Sequence, residues 1–250
     1  MRARAGVPAV ACVIWMLSAA VAGAQAPARI PIHAPGVYDE TFERPEHPAV
    51  RYALSVPAGY SASRPAPLVL ALHFGGNPHG AAIGMMKVLV VPGLADLGAI
   101  IVAPQTVDRG WNSRDNEHAV IDLMDAVEAS YRIDRRRVVV MGFSMGGAGT
   151  WHFASRFPDR FSAAIPMAGR PPDDLGTWTM PVLAIHSRND EVVPIGPAEA
   201  RITALKRAGV RAELIVVTGI AHHETYRFAD PLRRAVPWLR ETWKRLEAGR

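Results

Sequence analysis

The residues with the clearest chemical potential form a Gly-x-Ser-x-Gly pattern in the middle of the chain. Residues 142–147 read Gly-Phe-Ser-Met-Gly-Gly and follow directly on the apolar run 138–141. A serine at a sharp turn between a strand and a helix presents its hydroxyl clear of the sheet, and its neighbours must be small to avoid collisions. The positive end of the following helix would also stabilise a developing oxyanion. The pattern predicts Ser144 as a catalytic nucleophile.

A serine hydroxyl is a weak nucleophile unless a base and an orienting acid accompany it. The apolar run 182–185 leads into residues 186–194, which read His-Ser-Arg-Asn-Asp-Glu-Val-Val-Pro. This sequence places Asp190 just beyond a predicted strand end, where it can serve as the acid. Asp173 and Asp174 also follow a predicted strand, but the neighbouring prolines favour a surface turn there.

The base is expected after the last apolar run, 214–217. Residues 218–223 read Thr-Gly-Ile-Ala-His-His, so two adjacent histidines compete for the role. Motif spacing, and the opposite directions of adjacent side chains in extended chain, favour His222 over His223. His186 closes a strand and is expected to make structural hydrogen bonds. No histidine spacing is typical of a zinc site, so we expect no metal. Serine chemistry with a histidine base needs no organic cofactor, and we expect none.

The elements that must position these residues alternate along the chain. Residues 37–42 and 50–56 alternate apolar and polar side chains, which predicts an N-terminal hairpin. Short apolar runs typical of strands covered on both faces follow at 68–72, 100–103, 138–141, 163–165, 182–185 and 214–217. Helix-length stretches occupy 81–97, 118–131, 146–156, 196–208 and 231–246. This alternation predicts an α/β fold with a mainly parallel, doubly wound sheet and helices on both faces.

The motifs together resemble those of the α/β-hydrolase superfamily over about residues 51–238. The resemblance rests on the segments 67–76 (PLVLALHFGG), 137–147 (RVVVMGFSMGG), 157–161 (FPDRF), 186–194 and 219–222 (GIAH). Within the superfamily the chain is similar to small bacterial phospholipase/carboxylesterase-like and dienelactone-hydrolase-like esterases, and to predicted peptidases of the prolyl-oligopeptidase type. The resemblance implies a triad of Ser144, Asp190 and His222.

The resemblance also implies an oxyanion hole made by two backbone N–H groups, those of Gly75 and Met145. Phe74 stands where such proteins usually carry the first glycine of His-Gly-x-Gly, so a shift to the N–H of Phe74 or Gly76 stays open. Ala221 likewise replaces the second glycine of the usual Gly-x-Gly-His. Two loop residues, Asn77 and Trp111, are candidates for the substrate cleft, with a packing or turn role as the alternative.

Few residues are available to cover the cleft. Only the twelve residues 170–181 separate the loop that follows the strand at 163–165 from the strand leading to Asp190, so we expect no lid domain. The sequence therefore predicts an open serine esterase acting on a small-molecule or polymer-linked carboxylic ester. A serine peptidase or amidase is the enzymatic alternative, and a non-catalytic binding protein of the same fold is the non-enzymatic one.

Composition sets limits on the other function classes. The chain has 250 residues, 49% of them hydrophobic, and a single cysteine, which excludes intrinsic disorder and a disulfide scaffold. The net charge of +5 comes from dispersed basic residues, so we expect no nucleic-acid partner. Length and composition fit one catalytic domain over residues 30–250.

The first 24 residues are typical of a secretory signal peptide. Arg2 and Arg4 precede an uncharged stretch at 7–23, and Ala-Gly-Ala at 22–24 supplies small residues for cleavage before Gln25. Cleavage would remove the only cysteine, Cys12. We therefore expect export to the periplasm or the medium, without stable membrane insertion after cleavage; an uncleaved anchor is the alternative.

Overall fold

The computed structural model describes residues 28–76, 79–174 and 176–249, and it centres on one eight-stranded sheet. The predicted signal peptide and Cys12 lie outside the described residues. The strands are β1 (Gly36–Arg44), β2 (His47–Val56), β3 (Ala66–Leu72), β4 (Ile100–Pro104), β5 (Ile133–Phe143), β6 (Ala163–Met167), β7 (Val182–Ser187) and β8 (Ala212–Val217). Their order is β1-β2-β4-β3-β5-β6-β7-β8. The pairs β1–β2 and β2–β4 are antiparallel and the others parallel, which confirms the predicted mainly parallel sheet.

Helices cover both faces of this sheet. They are α1 (Ala81–Met85), α2 (Val91–Leu94), α3 (Arg114–Ser130), α4 (Met145–Arg156), α5 (Gly196–Arg207), α6 (Ala229–Arg233) and α7 (Ala235–Ala248). Alternate residues of the central strands face opposite sides, so the sheet separates two apolar cores. Side chains of α3, α4 and α5 fill one core, and those of α1, α2, α6 and α7 fill the other. No helix in the described ranges is both long and apolar enough to cross a bilayer.

Two of the predicted helices are interrupted, and a proline lies at or beside each interruption. The stretch 81–97 contains a π-helical turn, Met86–Val90, between α1 and α2. Pro92 has no N–H to donate to the carbonyl four residues earlier, which disfavours regular α-helical bonding across this turn. The stretch 231–246 divides into α6 and α7, and Pro237 lies in the first turn of α7, where a missing N–H costs least.

The contact between the start of α4 and the sheet leaves no room for side chains. A Cβ at Gly146 would penetrate the backbone carbonyl of Leu72 at the end of β3. A Cβ at Gly147 would likewise penetrate the carbonyl of Met167 at the end of β6. These glycines allow the helix to begin directly over the carboxyl ends of the central strands.

We expect Gly146→Ala to lower the free energy of unfolding by about 3 kcal/mol, because rigid backbone must move to admit the methyl group. Gly84→Ala in α1 is the matched control, since a Cβ there meets nothing within 4 Å. That control should raise the free energy of unfolding by about 0.5 to 1 kcal/mol through helix propensity. Urea unfolding of the two variants measures both changes, and equal stabilities would contradict this account of the packing.

His186 is a buried titratable group near the end of β7. It is 1% exposed, and its Nε2 donates to the carbonyl oxygen of Val193 at 2.8 Å. Burial lowers the pKa of His186 below its ordinary value of 6.5, against the opposing effects of that hydrogen bond and of Asp190 nearby. The folded protein therefore holds this ring in its neutral form more strongly than the unfolded chain does.

The free energy of unfolding should fall as the pH drops through 6.5, because the unfolded chain then binds the proton that folded His186 resists. His186→Asn removes this titration, so stability measured between pH 7.5 and pH 5 should depend less on pH in the variant. His118→Asn alters an exposed histidine of α3, so the slope of the free energy of unfolding against pH should stay as in the wild type. A His186→Asn slope as steep as that of the wild type would refute the assignment.

Candidate active site

Ser144 lies at the sharp turn between β5 and α4. Its backbone adopts φ 57° and ψ −115°, a positive-φ conformation that a non-glycine residue holds only under constraint. The backbone N–H of Ser144 donates to the Met167 carbonyl at 2.9 Å, and its own carbonyl accepts from the N–H of Ala148 at 3.0 Å. The turn is thereby fixed to β6 on one side and to α4 on the other.

A continuous line of hydrogen bonds runs from Ser144 into the protein. His222 Nε2 lies 2.8 Å from Ser144 Oγ, and His222 Nδ1 lies 2.8 Å from Asp190 Oδ2. The Asp190 side chain is fully buried, and its Oδ1 accepts from the backbone N–H groups of Val192 and Val193 at 3.0 and 2.7 Å. With Nδ1–H donating to this carboxylate, Nε2 is left as an acceptor for the serine hydroxyl.

The neighbouring candidates for base and acid lie elsewhere. His223 is exposed, and its ring stands perpendicular to that of His222 with 5.5 Å between centroids. The Asp173 side chain is 96% exposed, and Asp174 accepts from the backbone N–H of Gly176 in a surface turn. Within the described ranges, no group of three or more His, Cys, Asp or Glu residues is arranged to hold a metal ion.

The loops that carry Asp190 and His222 are bound to each other by polar side chains that sequence reasoning did not single out. Ser187 Oγ donates to the Ile220 carbonyl at 2.5 Å, and Asn189 Oδ1 accepts from the Gly219 N–H at 2.7 Å. Glu191 Oε2 accepts from the N–H of His222 at 3.2 Å. All three side chains belong to the 186–194 motif, so their position in the same loop as Asp190 was the signal that could have identified them.

The Phe143 ring packs against the ring of His222. Its ring centroid lies 5.3 Å from that of His222 and 5.0 Å from that of Phe228. Because Phe143 is the variable residue before the serine in the Gly-x-Ser-x-Gly pattern, the turn supplies both the hydroxyl and part of the apolar surface under its partner.

Gly75 and Met145 lie side by side next to the serine. A Cβ built on Gly75 would lie 3.5 Å from Met145 Sδ and 3.6 Å from Met145 Cβ. Met145 is the first residue of α4, where backbone N–H groups have no carbonyl partner within the helix. The two residues predicted to carry the oxyanion donors are therefore neighbours at the positive end of this helix.

His73 anchors the loop that carries Gly75. Its Nδ1 bonds the Phe74 carbonyl at 2.6 Å, and its Nε2 accepts from the Thr106 N–H at 3.2 Å and contacts the Gln105 amide at 3.1 Å. Burial lowers the pKa of His73, partly offset by the bond to Phe74. A neutral ring bonded at both nitrogens links the loops after β3 and β4.

Of the two residues predicted to line the substrate cleft, the structure describes only Trp111. Asn77 lies outside the described residues. Trp111 is only 2% exposed, and its Nε1 donates to the His73 carbonyl at 2.9 Å. The buried amide of Asn116, which sequence reasoning missed, orders the same loop by bonding Val107 N–H and the Gly110 carbonyl. Trp111 thus packs under the site and also lines one wall of a cavity.

Two cavities meet at Gly110 and Met145, beside the serine. One, of about 470 Å³, is lined by the loop of His73–Gly76 and the loop of Thr106–Gly110. The other, of about 370 Å³, lies over the first two turns of α4 and is bounded by Trp111, His152 and residues 170–173. The described residues between β6 and β7, 168–174 and 176–181, contain no helix. Both cavities are therefore bordered by Met145, the residue that directly follows Ser144.

Comparisons with known proteins match this architecture. Two fungal proteins, "Probable feruloyl esterase C" of Aspergillus terreus and "Feruloyl esterase C" of Emericella nidulans, are each 32% identical over 151 residues, which is 58% of this chain and 56% of each relative. The chain thus spans about half the length of the curated relatives it matches. The crystal structure of a thermostable esterase superposes with a TM-score of 0.67 at 24% identity, covering 82% of this chain and 62% of that one.

The structural likeness to the thermostable esterase confirms the predicted α/β-hydrolase fold. The family model described as "Dienelactone hydrolase family" matches residues 93–234, which include Ser144, Asp190 and His222. This match covers more than half of the chain and selects one of the family resemblances expected from the motifs. The chain belongs to the dienelactone hydrolase family of the α/β-hydrolase superfamily.

Proposed function

We propose that this protein is an exported serine hydrolase that cleaves carboxylic esters. The observation that carries the proposal is the line of 2.8 Å contacts from Asp190 through His222 to Ser144 Oγ, at a strained turn over the carboxyl ends of the strands. Serine, histidine and aspartate in this order of contact form the arrangement used for acyl transfer.

In the proposed acylation step, His222 Nε2 takes the proton of Ser144 Oγ as the oxygen attacks the ester carbonyl carbon. Asp190 holds the ring with Nδ1 protonated and stabilises the imidazolium that forms. The tetrahedral intermediate then collapses, the bond from carbon to the leaving oxygen breaks, and His222 returns the proton to the alcohol. The product of this half-reaction is an acyl ester on Ser144.

The N–H groups of Gly75 and Met145 are proposed to bind the oxyanion of the tetrahedral intermediate. Donors already fixed by the protein need no reorganisation as the charge develops, and loss of one such donor typically costs about 10²–10³-fold in rate. His73 keeps the Gly75 loop in position through its contacts with Phe74 and Thr106.

Deacylation repeats the sequence with water as the nucleophile. His222 removes a proton from the water, the acyl carbon passes through a second tetrahedral intermediate, and Ser144 leaves with the proton. The products are a carboxylic acid and the free enzyme. The chain's own side chains supply each proton transfer.

The proposed substrates are small or polymer-linked esters with an aromatic acyl group. Two matched relatives bear the name feruloyl esterase C, and the cavity over α4 offers a tryptophan wall beside the nucleophile position. Export by way of residues 1–24 would bring the enzyme to such esters outside the cytoplasm.

Ser144→Ala should lower kcat/KM for p-nitrophenyl acetate and for a methyl hydroxycinnamate by about 10⁴-fold or more, because the covalent route is lost. The assay uses the mature chain from Gln25, and Ser63→Ala, an exposed serine, is the matched control. If Ser144→Ala hydrolyses these esters as fast as the wild type does, the esterase proposal is refuted. Turnover of a peptide amide in preference to these esters would favour a peptidase or amidase instead.

The adjacent histidines provide a second matched pair in the same assay. His222→Ala should lose activity to a comparable extent, whereas His223→Ala should stay within about threefold of the wild type, since its ring is exposed. The reverse pattern would contradict the assignment of His222 as the base.

A further inference from the structure

The cavity over α4 contains a histidine–glutamate pair that the proposed mechanism does not use. His152 Nε2 lies 2.8 Å from Glu117 Oε1, joining α4 to α3. The Glu117 side chain is 11% exposed and that of His152 is 28% exposed, and His152 lines the cavity. A nearly buried carboxylate thus holds a partly accessible imidazole at the wall of a space adjoining the nucleophile position.

The position of His152 on α4 sets its distance from the reacting centre. It lies eight residues after Ser144 in the chain, which is about 12 Å along a helix axis. Trp111, Met145 and Pro171 supply apolar walls of the same cavity. A flat acyl group attached to Ser144 and directed along α4 would therefore meet an apolar slot first and His152 at its far end.

The hydrogen bonding of the ring determines what it can offer a ligand. An ionised carboxylate only accepts, so the contact with Glu117 fixes the proton on Nε2 and leaves Nδ1 as an acceptor in the neutral ring. Within the described residues, Nδ1 has no protein hydrogen-bond partner. Two arginines lie close to this pair. Arg156 Nε is 3.7 Å from Glu117 Oε1. Arg170 lines the cavity over α4 and is paired with Asp173 at 3.4 Å.

We propose that His152 is a specificity-determining residue that accepts a hydrogen bond from a phenolic hydroxyl at the distal end of an aromatic acyl group. This inference rests on the proposed ester-hydrolase function and assigns the cavity over α4 to the acyl side of the substrate. Glu117 is the positioning residue, because it fixes which ring nitrogen faces the ligand.

A free hydroxyl and its methyl ether differ in the property that His152 would read. The phenolic O–H can donate to Nδ1, whereas the ether oxygen only accepts and its methyl group would displace any water from the nitrogen. With the methyl ether bound, His152 Nδ1 would be left without a hydrogen-bond donor in a confined site, which lowers the affinity for that ligand. The enzyme should therefore prefer 4-hydroxycinnamate esters to 4-methoxycinnamate esters.

The test compares kcat/KM for methyl 4-hydroxycinnamate and methyl 4-methoxycinnamate in the full mature chain. The wild type should favour the hydroxy ester about tenfold, and His152→Phe should bring the ratio close to one. His152→Leu, which likewise offers no acceptor and adds less bulk than phenylalanine, repeats the test with less disturbance of folding. His118→Gln, on the exposed face of α3, is the matched control and should keep the wild-type ratio.

The ratio separates the two proposals because both esters are measured on the same preparation. A wild-type ratio near one, or an unchanged ratio in both His152 variants, overturns the role of His152 while Ser144-dependent hydrolysis of p-nitrophenyl acetate still supports the esterase. Absence of Ser144-dependent turnover of any ester overturns both. A ratio that falls only in the His152 variants supports the inference.

Discussion

The closest approach between α4 and the ends of β3 and β6 is the constraint on which the rest of the site depends. Gly146 and Gly147 leave no space for a Cβ against the carbonyls of Leu72 and Met167, so the helix must begin directly over the sheet. The chain enters this helix from β5 through a tight turn, in which Ser144 takes a positive φ of 57°. The same packing sets Met145, the first residue of that helix, beside Gly75.

The remaining groups are placed by loops that bind one another rather than by single elements. Ser187 and Asn189 hold the backbone of the 219–220 segment, and Asp190 and Glu191 bond His222 through its ring and its N–H. On the other side, His73 joins the loops after β3 and β4. In the proposed mechanism, this two-sided bracing keeps the base and the oxyanion donors aligned with a hydroxyl that is itself rigidly held, as preorganised catalysis requires.

Much of this arrangement could be predicted from the sequence because it depends on local patterns. Apolar runs predicted the parallel strands, and the Gly-x-Ser-x-Gly pattern predicted the turn at Ser144. What the sequence could not provide were contacts between distant segments, such as Glu117 with His152 or Gln105 with His73. The break in the helix at 81–97 also went unpredicted, since apolar periodicity continues through Pro92 although the bonding pattern changes.

The central claim is that Ser144 becomes covalently acylated, and active-site labelling tests it most directly. The mature chain is incubated with a fluorophosphonate, and the adduct is located by mass spectrometry of the intact protein and of its peptides. The account predicts one adduct per chain, on the peptide that contains Ser144, and none in Ser144→Ala. An adduct on another residue, or complete ester hydrolysis by a preparation that takes up no label, would contradict it.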